Sequence, residues 1–367
     1  MSRTSHVRIV GVTAILVLAV TLACQTATTS PSTPSRPALV IQRPYPTPDH
    51  RLNLPGQFVF APGDGSLWLE SADGRNARPL IKQSQDTYAV SPAFSPDGKH
   101  VAYSVQASTN QGDWLRDIRV IGVNDAQERV VTAPQDVTLS YSYPAWSADG
   151  RDILFTQSYP VSQSNTHTEI DRVSAKGSGL HKVIEDGLSP SVSPDGNMIA
   201  FLRFDAATYR SSLWVAQSDG SHPTQLLDKS VFVSIQSARF SPDSQYIVFA
   251  ASGAPQGNLP GLQSRNSIPL STQPARTDSC LATLFFTCWL QTASAHGLPW
   301  DIWLAKADGA RFDRLTQIGA DSPYPAWSPD GKYIAFMDYG GIYVVNRGTK
   351  EGYLISPNGG HGALDWH

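Results

Sequence analysis

His167 and Glu169 are the pair whose types and spacing come nearest to chemistry in this chain. Two apart on an extended strand, they face one side, where an imidazole and a carboxylate can share a proton. Nothing adjacent in sequence completes a site, so the pair reads as a solvated strand edge. His222, His296 and His361 fall in loops with no partner identifiable. Asp97, Asp149, Asp195, Asp243 and Asp330 recur at matching places and could suggest a metal ring. Each belongs to a separate repeat, too distant from the others for calcium, which holds its oxygens at about 2.3–2.6 Å. Hairpin chemistry accounts for them, with Pro presetting φ and Gly accepting the left-handed position.

Cys280 and Cys288 are free to pair in an oxidising compartment. Yet Asp278–His296 contains no Gly or Pro, and Leu281, Leu284, Phe285, Cys288 and Thr292 share one helical face. An unbroken helix would hold the two cysteines about 12 Å apart, beyond the ~7 Å limit for a disulfide, so helix and bond exclude each other. No Gly-x-Ser-x-Gly elbow, His-Glu-x-x-His pair, phosphate-binding loop or zinc-type cysteine cluster occurs. These absences predict a protein that binds rather than catalyses and uses no cofactor or metal. The alternative is an enzyme acting on a carbohydrate or peptide polymer through residues scattered over several loops.

A repeat must carry any such site. Pro92-Ala-Phe-Ser-Pro-Asp-Gly98, Pro144-Ala-Trp-Ser-Ala-Asp-Gly150, Pro190-Ser-Val-Ser-Pro-Asp-Gly196, Ser237-Ala-Arg-Phe-Ser-Pro-Asp-Ser244 and Pro325-Ala-Trp-Ser-Pro-Asp-Gly331 are five versions of one motif. An apolar strand follows each, as in His100–Ser104 and Tyr333–Met337, so the motif is a hairpin turn between two strands. A third strand (Leu213–Gln217, Ile302–Lys306) and a fourth (Gln225–Leu227, Arg314–Thr316) complete each unit. Four short antiparallel strands make one propeller blade. The motif serines are spaced 52, 46, 48 and 87 residues apart, so the last interval holds one blade and an insertion spanning 252–299.

Phe58–Ala61, Leu67–Glu70 and Pro79–Ile81 supply three strands of a further blade, and Leu364-Asp-Trp-His367 aligns with Pro325-Ala-Trp-Ser328. The expected fold is therefore all-β, a six-bladed propeller closed by the C-terminal strand. The motif aromatics Phe94, Trp146, Phe240, Trp327 and Trp366 should pack between blades. In every blade the loop from second to third strand shares one face with the blade-to-blade crossovers. That crossover face should gather the insertion, the loops Gln106–Arg116 and Ser158–Thr168, and the candidate binding anchors Trp114, Tyr143, Phe285, Trp289 and Tyr324.

Residues 1–23 pair Arg3 and Arg8 with an apolar run, Ile9–Ala23, the pattern of an export signal. Thr21-Leu-Ala-Cys24 resembles a bacterial lipoprotein box, which implies lipid on Cys24 and a membrane anchor. Residues 24–55 are rich in Ser, Thr and Pro and read as a solvated tether, leaving 56–367 for the propeller. Loss of Arg3 and Arg8 takes the formal charge from −3 to −5, which offers nucleic acid no electrostatic footprint.

The Ser-Pro-Asp-Gly repeats resemble those of the TolB family, also found in the propellers of prolyl-oligopeptidase-like peptidases. The resemblance covers roughly residues 56–367. It implies an extracytoplasmic, membrane-tethered binding scaffold whose partner is an envelope protein or a cell-surface polymer. The tether stands where that family carries an N-terminal α/β domain, and the peptidases' α/β-hydrolase domain has no nucleophile elbow here to represent it.

Overall fold

A Ser-x-Asp turn between two apolar strands builds a hairpin that satisfies its own polar groups. Ser95 Oγ donates to Asp97 Oδ1 at 2.6 Å and accepts from the His100 N–H at 3.0 Å, while Asp97 Oδ1 also accepts from the Lys99 N–H at 3.1 Å. The same bonds recur at Ser147–Asp149, Ser193–Asp195, Ser241–Asp243 and Ser328–Asp330. Gly98, Gly150, Gly196 and Gly331 close four of these turns at positive φ, and Ser244 adopts φ +59° in the fifth.

The computed structural model describes Pro48 and residues 52–367, apart from 85–86, 109–113, 137, 163–164, 254, 257–258, 260–299 and 321. Every regular element among them is a strand. The first blade contains β1 (Gln57–Phe60), β2 (Leu67–Ser71) and β3 (Arg78–Ile81). The second is β4 (Thr87–Phe94), β5 (His100–Ser108), β6 (Trp114–Gly122) and β7 (Glu128–Thr132). The third is β8 (Ser140–Trp146), β9 (Asp152–Ser162), β10 (Asn165–Ser174) and β11 (His181–Glu185). The fourth is β12 (Leu188–Val192), β13 (Met198–Asp205), β14 (Arg210–Gln217) and β15 (Thr224–Leu227). The fifth is β16 (Ser234–Phe240), β17 (Tyr246–Ser252), β18 (Trp300–Lys306) and β19 (Phe312–Arg314), with the insertion between β17 and β18. The sixth is β20 (Ala326–Trp327), β21 (Tyr333–Asp338), β22 (Gly341–Asn346) and β23 (Gly352–Ser356). Finally β24 (Leu364–Trp366) returns to the first blade, giving six four-stranded antiparallel sheets.

Period-two alternation decides which neighbour each residue meets. Val101 and Tyr103 pack toward the first blade, whereas Ala102 packs toward the third. Six apolar clusters follow among the described residues, one at each interface between adjacent blades. Large fully buried rings, including Phe58, Phe155, Phe201, Phe249 and Phe336, fill them. Burial of such side chains, each worth about 1.5–3 kcal/mol, is what turns six separate sheets into one disc.

The ring closes on β24, whose Trp366 lies opposite Phe58 and whose Leu364 lies opposite Phe60. The His367 N–H donates to the Gln57 carbonyl at 3.0 Å, and the Gln57 N–H donates to the His367 carbonyl at 2.6 Å. Gly56 sits so near this strand that a Cβ there would fall 2.0 Å from the His367 oxygen. Motif tryptophans staple the ring: Trp146 Nε1 donates to the Ala93 carbonyl and Trp327 Nε1 to the Arg239 carbonyl, both on the preceding blade at 3.1 Å. Trp366 Nε1 donates to the Pro55 carbonyl at 2.8 Å.

Candidate functional site

The inner strands do not run straight through the disc. Each of β4, β8, β12 and β16 slips register just before its motif, between Val90/Ala93, Ser142/Ala145, Leu188/Ser191 and Gln236/Arg239. At each slip a non-glycine residue takes a left-handed backbone: Ser91, Tyr143, Ser189 and Ser237, all with φ near +53°. Such a conformation costs roughly 1–2 kcal/mol per residue, and a bulge re-aims the side chain it carries. The Ser189 N–H is held at its bulge by Thr156 Oγ1 of the preceding blade at 2.9 Å.

Bulged inner strands, together with the ends of second strands and the starts of third strands, surround a cavity of about 470 Å³ at the crossover face. Ser91, Ser104, Ser142, Thr156, Ser158, Thr166 and Thr168 bring hydroxyls, Tyr141, Tyr143 and Tyr324 bring phenols, and Gln106, Arg116 and His361 complete the polar wall. No carboxylate stands among the described residues of that wall. Ser104 Oγ is fully enclosed there without a hydrogen-bond partner. Arg116 Nη1 donates to Ser140 Oγ at 3.3 Å and leaves the rest of its guanidinium exposed.

Tyr143 belongs to the third blade and Tyr324 precedes the inner strand of the sixth, so they stand on opposite sides of the ring. Both nevertheless line the same mouth, with the Tyr143 phenol near enough to act on that of Tyr324. Burial, reinforced by Tyr143, pushes the Tyr324 phenol well above its ordinary range, and Arg239 opposes the shift. The motif's second residue is Ala93, Ala145, Ser191, Arg239, Ala326 and Asp365 in successive blades. Asp365 Oδ2 accepts the Phe94 N–H of the next blade at 2.7 Å. Burial raises its carboxyl above the usual range, against the pull of Arg239. Arg239 and Asp365 were not singled out from sequence. The signal was there, as the only charged residues at a place otherwise held by Ala or Ser.

Of the expected anchors, Tyr143 and Tyr324 meet at the mouth. Trp114 begins β6 opposite Ser108, and its side chain lies outside the described residues. Phe285, Trp289, Cys280 and Cys288, and the N-terminal Cys24, also lie outside them. His361 meets the ring of Tyr339 edge-on and lines the cavity.

His167 and Glu169 form no solvated edge. Their side chains are only 18% and 10% exposed, and Glu185 and Asp186 close around the imidazole. The sequence hid this cluster because Glu185 arrives from β11, opposite Glu169 across the ladder.

No protein-family model matches the chain. Dipeptidyl-peptidase 5 of Trichophyton equinum is 33% identical over 109 residues, 29% of this chain and 14% of that protein. The Tol-Pal system protein TolB of Alcanivorax borkumensis is 38% identical over 74 residues, 18% of this chain and 17% of that protein. The chain thus spans about a seventh of the length of the peptidases it matches. The expectation of a protein without catalysis is overturned by these peptidase relatives. Its premise was the lack of a contiguous motif, and a site assembled from loops of several blades needs none. Among solved structures, TolB of Acinetobacter baumannii superposes with a TM-score of 0.58 at 16% identity, over 85% of this chain and 66% of that one. Repeat, blade topology and closing strand agree with that likeness: the chain folds as a six-bladed β-propeller similar to that of TolB.

Proposed function

We propose that the propeller is an extracytoplasmic capture module, tethered to a membrane through lipid on Cys24, whose channel mouth binds an extended, carboxylate-bearing segment of an envelope protein. One observation carries the reading: a mouth of about 470 Å³ walled by hydroxyls and phenols, with Arg116 as its cation and no carboxylate among its described lining residues. Hydroxyls accept and donate freely and so suit a polar backbone, while an arginine fork pairs with a carboxylate. The strained bulges fit this reading, since backbone strain concentrates where a side chain must be aimed. The Ala-Cys24 junction after the apolar run supports the tether, and the TolB relatives support a place in the envelope.

The test is crosslinking and capture from native membranes with the full-length protein, alongside Arg116→Gln and Tyr324→Phe. Loss of one partner band in both variants, with unchanged melting, supports the reading. Equal capture by all three refutes it. Cys24→Ser should move the protein out of the membrane fraction, and its retention there without precursor would refute the tether. A second reading is favoured by the dipeptidyl-peptidase relatives: the same mouth admits a peptide that the protein cleaves. Release of dipeptides from unblocked chromogenic peptides, abolished in Tyr324→Phe, would select it.

A further inference from the structure

Glu169 and Glu185 face each other directly across the β10–β11 ladder. Like charges at such a position repel, and a cation offsets them: Lys182 Nζ reaches both carboxylates in this structure. His167, two residues before Glu169 on the same face, puts its Nε2 3.0 Å from Glu185 Oε1 and 3.7 Å from Glu169 Oε2. That nitrogen is enclosed and makes no hydrogen bond. On the other side of the ring, Nδ1 lies 3.4 Å from Asp186 Oδ1. A neutral imidazole carries one proton for its two nitrogens, so with Nδ1–H turned to Asp186 the Nε2 lone pair confronts two carboxylates. Three electron-rich atoms then converge on one point.

We propose that His167 Nε2, Glu169 Oε2 and Glu185 Oε1 bind a zinc ion, with a fourth position open to water or to a group from a partner. Zinc bonds of about 2.0–2.1 Å set ligand-to-ligand edges of about 3.3–3.4 Å in a tetrahedron. The two gaps from His167, 3.0 and 3.7 Å, bracket that edge, and all three ligand atoms lie within 4.8 Å of one another, so the two carboxylates close in slightly around the ion. Outer partners are in place as well: Asp186 faces the distal nitrogen, and Gln157 Nε2 donates to Glu169 Oε1 at 2.7 Å, leaving Oε2 for the metal. Carboxylate and amide partners of this kind fix the tautomer and direction of zinc ligands. Asp171, next along the same face and 4% exposed, keeps Oδ1 without a hydrogen-bond partner and adds negative charge. Calcium, with six to eight oxygens, finds too few ligands here.

Lys182 is the competitor. Its Nζ lies 3.4 Å from Glu169 Oε2 and pairs with Glu185 Oε2, but the side chain is 48% exposed and free to swing into solvent. Zinc binding would displace it.

The full-length protein, stripped by a chelator, is titrated with zinc chloride by calorimetry, and cobalt(II) is added in parallel for its visible spectrum. One ion per chain is expected, with the absorption of a four-coordinate site. His167→Asn and Glu185→Gln should each weaken binding at least ~10-fold, and Gln157→Ala roughly 10-fold as an outer partner. Lys182→Ala should bind as tightly or more tightly. The chain has nine histidines, so the contrast between variants decides the site. Should His167→Asn fail to fold, Glu185→Gln, at an exposed strand end, keeps the test open. Zinc bound equally by the wild type and Glu185→Gln overturns the proposal. So does the absence of zinc binding by the wild type.

Discussion

Truncating Trp366 to alanine tests whether the C-terminal strand holds the ring shut. The indole is 5% exposed, its ring lies 4.8 Å from that of Phe58, and its Nε1 donates to the Pro55 carbonyl at 2.8 Å. It belongs to the cluster between the sixth and first blades with Leu54, Phe58, Ile342, Val344 and Leu364, so removing it leaves a cavity walled by both blades. A buried Trp→Ala change costs about 3–5 kcal/mol. A domain of this size loses roughly 2 °C in Tm per kcal/mol, so the expected fall is about 6–10 °C. Trp366→Phe separates the components. It keeps most of the ring contact and orphans the Pro55 carbonyl, for about 1–2 kcal/mol. Differential scanning calorimetry of the three proteins gives the ordering. Trp146→Ala is the internal control, since Trp146 makes the same kind of bond to a neighbouring blade but is only half-buried, and it should cost less. A fall below 2 °C for Trp366→Ala, or a larger effect at Trp146, would refute the argument that closure depends on this side chain.

Ser244→Gly relieves a left-handed serine by about 1 kcal/mol but removes the hydroxyl that accepts the Asp195 N–H at 3.2 Å, so stability by urea denaturation should change by under ~0.5 kcal/mol. A loss above 1 kcal/mol would make the hydroxyl the dominant contact. The turn carboxylates Asp97, Asp149 and Asp195 lie below the usual range, chiefly through the hydroxyls of Ser95, Ser147 and Ser193. Their stabilisation is present above pH ~3.8 and lost as pH falls through the depressed values, so Ser95→Ala should cost about 1–2 kcal/mol at pH 6 and less at pH 3 in urea melts. A cost independent of pH would remove the carboxylate from the explanation. For Asp365 the sign is opposite: burial raises its carboxyl, so its contribution is most favourable at acid pH and declines as pH rises through the raised value. Arg239→Ala should deepen this, costing roughly 1–3 kcal/mol at pH 8 and less at pH 4, with Asp365→Asn restoring much of the loss. No rescue by the second substitution would show that the two groups do not interact.

The repeat was legible because its cause is local. Pro, Asp and Gly at fixed offsets form a hairpin wherever two apolar strands flank them, and an alternating strand must bury both faces. From those residues came the blade boundaries, the six-blade count and the closing role of Leu364–Trp366. Even so, the motif serine was read only as a landmark, although its hydroxyl ties the turn together at Ser95, Ser147, Ser193, Ser241 and Ser328. The positive φ at Tyr143 and Ser91 was invisible, because a bulge comes from register against a neighbouring strand rather than from residue type.

Everything chemical that the sequence obscured depends on distance across the fold. His167 and Glu169 looked like a solvated edge until β11 set Glu185 opposite them. Tyr143 and Tyr324, 181 positions apart, meet because the third and sixth blades of a six-membered ring stand opposite each other. Arg239 of the fifth blade comes close enough to Asp365 of the first to act on its charge only because the ring is closed. A blade is written in its own residues, because its turns are bonded between positions a few apart. Which blades confront one another is set by closing the ring, which fixes separations that no interval along the chain encodes.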